Sequence, residues 1–543
     1  MSVLDSQQKR WLAARKKLLL QIKAQVRQFL GPEPEDLREY ALSYKAEFFS
    51  KWSPASHRDL FKSVDAAQIV LGGDFHAFSQ SQRTHLRILR SLPDTRNVCL
   101  ALECVESVHQ KHLDAFMARE VSEEEFLKLV DWDLKWGFTW ENYRPLFDLA
   151  RSKGYRVFGV NKYASRRSGK SLFKRDEHAA SVIGEISARH PECLIYVLYG
   201  DLHLAKRHLP EKLRKKLSGG GACVTIFQNS ERLYFQLARK GLEHEVEVMA
   251  SSNLRFCILG SPPWVKWQSY LMFLEHTFDQ DIDDEEDDDE SVDFTDYISN
   301  LIKLVAEDLS VKMVPSDVAV YSAADDRIFE GLVEDVPPGL QTIAEYSIRN
   351  DRSFYLPKSG LFYLSRHTIN HAASLAGQYV HAKLCKRQRL FWQVPQDFLG
   401  LIWIEAVGFF VSKLINHKRK AETVRDLKNQ LAVTSPDDHG REALLLALDQ
   451  RMREVIAVHT DRFRPLKVKP RRKASYIEAA RLLGHMLGEK LYLSYRNGRI
   501  SGDKLLEVLS QDMSHPNFDQ FYLSMVKRLE SQQVPLANVE VAL

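Results

Sequence analysis

From about residue 66 to 237 the chain alternates short apolar runs with longer amphipathic stretches. The runs are AQIVLGG (67–73), VCLALECV (98–105), YRVFGV (155–160), LIYVLYG (194–200), ACVTIF (222–227) and LYFQL (233–237). Apolar runs of this length, without alternation, predict strands buried on both faces. Helical stretches separate most of them, which predicts βαβ units around a mostly parallel sheet. Only QNSER separates the last two runs, so these are expected to form an antiparallel hairpin at one sheet edge.

The flanking regions have a different period. Trp11, Leu18, Leu19, Ile22, Val26 and Leu30 recur at helical spacing within residues 6–30, and GPEPED (31–36) ends that helix and caps another. After residue 295 the 3.6-residue period returns at 296–312, 365–388, 396–420, 421–434, 440–458 and 474–496. Between the two patterns lies DQDIDDEEDDDESVD (279–293), a self-repelling carboxylate run expected to be an extended linker. The expected organisation is an N-terminal helical segment (1–60), an α/β domain (61–277), an acidic linker (278–294) and a largely α-helical C-terminal domain (295–543). FLGLIWIEAVGFFVSKLI (398–415) approaches the ~20 apolar residues that span a bilayer. Glu405 near its centre favours a buried helix instead, because a central carboxylate is costly in lipid. No transmembrane segment is expected.

Composition narrows the class only modestly. The 543 residues are 44% hydrophobic and 27% charged, with a net charge of +4. These values suit globular domains and give no global field toward nucleic acid. The basic stretch RFRPLKVKPRRK (462–473) is read as a solvated connection, with nucleic-acid or phospholipid contact as the minority alternative. Cys99, Cys104, Cys193, Cys223, Cys257 and Cys385 are scattered without a CxxC pair, as expected of reduced thiols. The N-terminal stretch is expected to hold no signal peptide and no lipidated Cys, so a cytoplasmic location is expected.

The chemistry collects where the apolar runs end. The first run closes in Gly72-Gly73-Asp74-Phe75-His76, the second in Leu102-Glu103, the third in Val160-Asn161 and the fourth in Gly200-Asp201-Leu202-His203. Ligands of parallel α/β sheets bind outside the carboxyl ends of the strands, so these groups are expected to meet on one edge. Two imidazoles and a carboxylate suit a divalent metal with open positions, at which a bound water loses its proton near neutral pH. His76, Glu103 and His203 are the expected metal ligands. Glu103, Asp74 and Asp201 are the expected catalytic carboxylates, and each Asp is also placed to orient its neighbouring His.

These residues sit in GDFHAFSQSQ, LALECVESVHQKHLDAFM, YRPLFDLARSKGYRVFGVN, KRDEHAASVI and YGDLHLAKRHLP. That series resembles the ChaN-like haem-binding-uptake domain of the Tiki/TraB/erythromycin-esterase superfamily, over about residues 67–250. The resemblance implies the same α/β fold and two functional readings. Tiki and erythromycin-esterase relatives are hydrolases whose GxxH histidines and glutamate bind a divalent metal or activate water. ChaN-type relatives are haem-binding proteins of iron acquisition, commonly secreted lipoproteins, a pattern this N-terminus does not follow. Carried over by position, the site is His76, Glu103 and His203 with Arg175 and Asp176 at the start of the RD helix. Asn161 and Tyr143 are expected to support it or touch substrate.

Further features add candidates. Trp132, Trp136, Trp140 and Tyr143 fall on one stripe if helical, giving either core or a flat aromatic wall for a planar ligand. His367, His371, Ser374, Gln378 and His381 share one helix face by spacing, and Glu405, Glu478, His485 and Glu489 lie on other apolar helices. A second inward-facing metal or haem site from His367, His371, Glu405, His485 and Glu489 is the functional alternative to a satisfied hydrogen-bond network. No P-loop, GxGxxG, HExxH or GxSxG motif occurs. Three readings follow: a metal-dependent hydrolase acting on a small-molecule or peptide substrate, a haem- or iron-ligand-binding protein without turnover, and a silent regulatory scaffold.

Overall fold

The computed structural model describes residues 6–164, 168–217, 222–280, 294–316, 318–322, 328, 332, 336–435, 439–460, 462–464 and 466–531. The acidic stretch expected as a linker lies, from 281 to 293, outside the described residues. The chain forms two compact units, Met1–Glu275 and His276–Leu543.

The first unit is built on an eight-stranded sheet. Its strands are β1 (Ser53–Ala55), β2 (Ile69–Asp74), β3 (Val98–Glu106), β4 (Arg156–Asn161), β5 (Leu194–Gly200), β6 (Cys223–Gln228), β7 (Val248–Ser252) and β8 (Arg255–Ile258). Their order is β1-β7-β8-β6-β2-β5-β3-β4. Pairing is parallel from β8 through to β4, and β7 runs antiparallel to both of its neighbours. Side chains alternate between two apolar layers: Val70, Leu100, Tyr196 and Leu198 enter one, while Ile69, Leu71, Ala101 and Val197 enter the other. Each fully buried aliphatic side chain contributes about 1.5–3 kcal/mol, so two covered faces make the centre of this sheet its most stable part. The expected α/β class with a mostly parallel sheet and a helical C-terminal region is what the chain forms.

Two local expectations fail. LYFQL is not a strand but part of the helix Glu231–Ala238, in which Leu233 and Leu237 are buried one turn apart. A five-residue stretch with four apolar positions carries too little period to separate the two states. The edge hairpin is instead β7–β8, and β8 takes the place beside β6. The Trp132–Tyr143 stripe is likewise broken: Trp132–Lys135 and Trp140–Lys153 are separate helices, with Gly137 at φ +73 between them. A left-handed glycine ends a helix, so the four rings do not share one face.

The second unit is mostly helical. The apolar helix Phe398–Ile415 packs between Ile369–Leu384 and Lys473–Arg496. It is long and apolar enough to cross a membrane, yet 89% of it is buried inside the protein. A small sheet that the helical period did not predict also lies here: β9 (Ala319–Ser322), β10 (Phe354–Leu356) and β11 (Leu361–Leu364), in the order β10-β11-β9. The basic stretch after the helix His439–Thr460 is tied back to that helix, because the Asp449 carboxylate accepts from the Lys467 and Val468 amides at 2.9 and 3.0 Å.

Candidate functional site

The carboxyl ends of β2, β5, β3 and β4 meet because the strands are neighbours in register. Asp74 pairs with Gly200, and Leu102 pairs with both Leu198 and Gly159. Beyond Leu102 the β3–β4 register shifts before Glu106 pairs with Asn161. Glu103 sits in that irregularity. Bulges re-aim side chains beside functional sites, and here the Glu103 carboxylate reaches across to β5 and accepts from the Gly200 amide at 2.5 Å. A Cβ at position 200 would lie 3.2–3.4 Å from His76, Glu103 and His203, so the missing side chain is what lets the three converge.

Each histidine is held by a carboxylate. The His76 Nδ1–H donates to Asp74 at 2.9 Å, and Asp74 is itself fixed by Gln82 at 2.6 Å and by the Tyr143 hydroxyl at 2.7 Å. The His203 Nδ1 lies 2.6 Å from Asp176, which also accepts from the Tyr40 hydroxyl at 2.8 Å. With Nδ1 engaged, Nε2 of each ring faces Glu103, at 3.7 Å from His76 and 3.8 Å from His203. Such a carboxylate–histidine pair sets the tautomer and leaves Nε2 as a ligand or base.

The electrostatics of the two rings differ. Burial alone lowers the His76 pKa, but the hydrogen bond and charge of Asp74 and the charge of Glu103 outweigh it, and the net shift is upward. Burial dominates at His203 and holds it well below the ordinary imidazole value. Asp176 is pushed up to about 7 by burial, against the Tyr40 hydrogen bond and the charges of His208 and Lys212. Glu103 is only 2% exposed in its side chain and is ion-paired with Arg175, whose Nε donates to Asn161 at 3.0 Å.

These contacts bear on the expected metal. Both Glu103 oxygens are engaged, one by Arg175 and one by the Gly200 amide, and the guanidinium opposes a cation beside it. Among the described residues no group of three His, Cys, Asp or Glu is arranged to hold a metal ion. Asp201 lies beside the cluster: a Cβ on Gly73 would meet its Oδ1, and the charges of Asp74 and His76 reach it. Its ion-pair partner is Lys266 at 3.9 Å, and burial lifts it to about 6. The structure therefore brings together His76, Glu103, His203, Asp74, Asn161, Arg175, Asp176 and Tyr143, with Asp201 beside them and outside their hydrogen-bond network.

One side of His76 is aromatic. Its ring lies 4.5 Å from Trp136 and 5.0 Å from Phe138, and Phe138 stacks on Phe273 at 4.6 Å. Trp132, Trp140 and Tyr143 are core residues, so of the four stripe rings Trp136 is the half-buried one. With 22% of its side chain exposed, His76 is the open member of the pair; His203 keeps 5%. Sequence reasoning missed Tyr40, Gln82, Phe138 and His208. Gln82 was findable, since it lies in the first turn of a helix that starts directly after β2. Tyr40, stacked on His208 at 3.6 Å, comes from the N-terminal helices and carries no local signal.

The second expected cluster is not assembled as a cation site. His367 precedes the helix Ile369–Leu384, is exposed, and lies against Phe294. Glu489 pairs with Lys413 at 2.5 Å. The charges acting on His371 come from Arg419 and Arg366, and those on His485 come from Arg419 and Arg481. Glu405 is the buried acid facing those arginines. Arginines supplied by distant segments engage these acids, with Arg352 and Arg481 both paired to Glu478, so the carboxylates are spent on guanidinium groups and not gathered around an ion.

Residues 60–171 match the family described as "Haem-binding uptake, Tiki superfamily, ChaN". Over these residues the first unit resembles that ChaN family. That match begins just before β2 and ends inside the helix Gly169–Arg189, taking in the first GxxH tetrad and Glu103. One solved structure that the chain matches is entitled "Cofacial heme binding to ChaN of Campylobacter jejuni". It has 16% identity, covers 32% of this chain and 86% of that one, and gives a TM-score of 0.24. No curated protein matches the chain at a significant level.

Proposed function

We propose that the ChaN-like unit binds haem and holds it without turnover, with His76 as the residue that meets the iron. The observation that carries this reading is His76 itself. Its Nδ1–H is locked to Asp74, its Nε2 makes no hydrogen bond among the described residues and lies 3.7 Å from Glu103, and its ring stands partly exposed beside Trp136 and Phe138. His76 would hold the iron of a bound haem through its imidazole nitrogen, and the apolar rings beside it would suit a flat macrocycle. The donor set fits: one oriented imidazole is open, while Glu103 is spent on Arg175. The test is a haemin titration of the purified chain, read as growth of a Soret band. His76→Ala is expected to abolish the band, and Asp74→Asn, which removes the orienting charge, to weaken binding about 10–100-fold. A band unchanged in His76→Ala would falsify the assignment.

A second reading is favoured by the two Nε2 atoms that face Glu103 from opposite dyads. It places a divalent ion there and a water-activating hydrolase on a small-molecule or peptide substrate. Elemental analysis of the same sample separates the two. Stoichiometric metal lost in the His76→Ala, His203→Ala double variant supports the hydrolase, and a metal-free chain that takes up haemin supports the binding domain.

A further inference from the structure

The second unit buries a full positive charge that no acid among the described residues matches. Arg387 follows the helix Ile369–Leu384 and is 8% exposed. Its Nε and Nη2 are enclosed without a hydrogen-bond partner. Among the described residues, the groups whose charges reach it are the Cys385 thiol and the Tyr355 hydroxyl, and no carboxylate is among them. The contrast with Arg451, Arg453 and Arg481 is direct, since each of those buried or half-buried arginines holds an Asp or Glu of the same unit.

Near it is a second enclosed group in the same condition. His381 is 0% exposed, and neither of its ring nitrogens has a hydrogen-bond partner. Burial and the Arg387 charge together drive its pKa down to about 3, so the ring stays neutral and offers one N–H. Leaving a buried guanidinium and a buried imidazole both unsatisfied costs far more than either interaction normally gains. Two such groups within electrostatic reach of each other call for one ligand.

We propose that the second unit binds a small monocarboxylate at Arg387 and His381. The charge count selects the class. With His381 neutral, the site carries a single positive charge, which one carboxylate cancels, whereas a phosphate dianion would leave negative charge in the interior. The guanidinium edge at Nε and Nη2 is a two-donor fork that matches the two oxygens of a carboxylate. Tyr355, packed on Phe362 at 4.5 Å and on Tyr379 at 5.5 Å, provides an aromatic surround for an organic body.

The test titrates the purified full-length chain with sodium acetate, sodium benzoate and inorganic phosphate at constant ionic strength. Binding is followed by calorimetry and by thermal unfolding. One carboxylate is expected to bind one-to-one and raise the unfolding midpoint. Arg387→Met should remove that response while leaving the ligand-free protein at least as stable, because it deletes an unmatched buried charge. Arg387→Lys keeps the charge without the fork, should bind about tenfold more weakly, and carries the test if the Met variant does not fold. The proposal is overturned by no carboxylate response in the parent chain, by phosphate binding more tightly than both carboxylates, or by a response that survives in either variant at full strength.

Discussion

The two units use the same residue types in their interiors to opposite effect. In the first unit, the site imidazoles meet carboxylates: His76 meets Asp74 and His203 meets Asp176, while Glu103 meets Arg175. In the second unit, the buried imidazoles meet arginines or nothing. His371 and His485 sit in the fields of Arg419 and its neighbours, and His381 is alone with Arg387. A carboxylate orients a ring and sharpens its free nitrogen as a ligand, whereas an arginine only forbids protonation. An inward-facing histidine thus becomes a site according to the sign of its neighbours, not its place in a periodic pattern.

The sharpest way to break the comparison is to remove the matched charge. Glu103→Ala leaves Arg175 without its acid and the Gly200 amide without its acceptor. Breaking one side of a buried pair costs about 3–5 kcal/mol, which chemical denaturation would read. Arg387→Met, by contrast, removes a charge that has no partner to lose and should cost nothing. Equal losses from the two would erase the distinction between the units.

The next effect is a pH dependence with a definite sign. His371 and His381 are held down to about 4 and about 3 from 6.5, chiefly by burial with arginine charges adding to it. Depressed imidazoles bind protons in the unfolded chain and not in the folded one. Stability from these groups is therefore complete above 6.5 and falls as pH drops through the unfolded value. Between about pH 7 and about pH 5 the loss is about 2 kcal/mol per histidine. In the ChaN-like unit the signs are mixed, since His76 and Asp176 are raised while His203 and His85 are lowered. Acid melts monitored by hydrogen exchange should show the second unit opening first, and His381→Gln should remove about one proton from its uptake on unfolding. Protection lost first around β2 and β5 would contradict the assignment of signs.

These contrasts also show what the sequence could carry. The strands at the sheet centre were legible because each is buried on both faces and so reads as an unbroken apolar run. The strand-end groups were legible because each directly follows such a run. LYFQL was not, since four apolar residues in five fit one turn and a half of helix as well as a strand. The Trp132–Tyr143 stripe failed at Gly137, where one positive φ outweighs three matching spacings. Arg175 was placed near the site only through the family resemblance, and nothing local to it predicts that it would neutralise Glu103. The arginines around His371 and His485 come from segments 352, 419 and 481, and their convergence is a tertiary fact that no single helix displays.

The smallest effect tests how far the site depends on one helix being seated. Arg175 and Asp176 both project from Gly169–Arg189, whose start is fixed by a capping box in which Ser168 and Ser171 each accept from the other's amide. Ser168→Ala should cost about 1 kcal/mol. The same box, Thr423 with Asp426, starts the helix Val424–Val433 of the second unit, where Thr423→Ala should cost a similar amount. The stability losses should match, but the functional ones should not. Only the Ser168 variant loosens the helix that orients His203 through Asp176 and pairs Glu103 through Arg175. Haemin affinity measured in parallel should fall in Ser168→Ala and stay unchanged in Thr423→Ala. A fall in both would show that global stability, rather than the seating of this helix, sets the affinity.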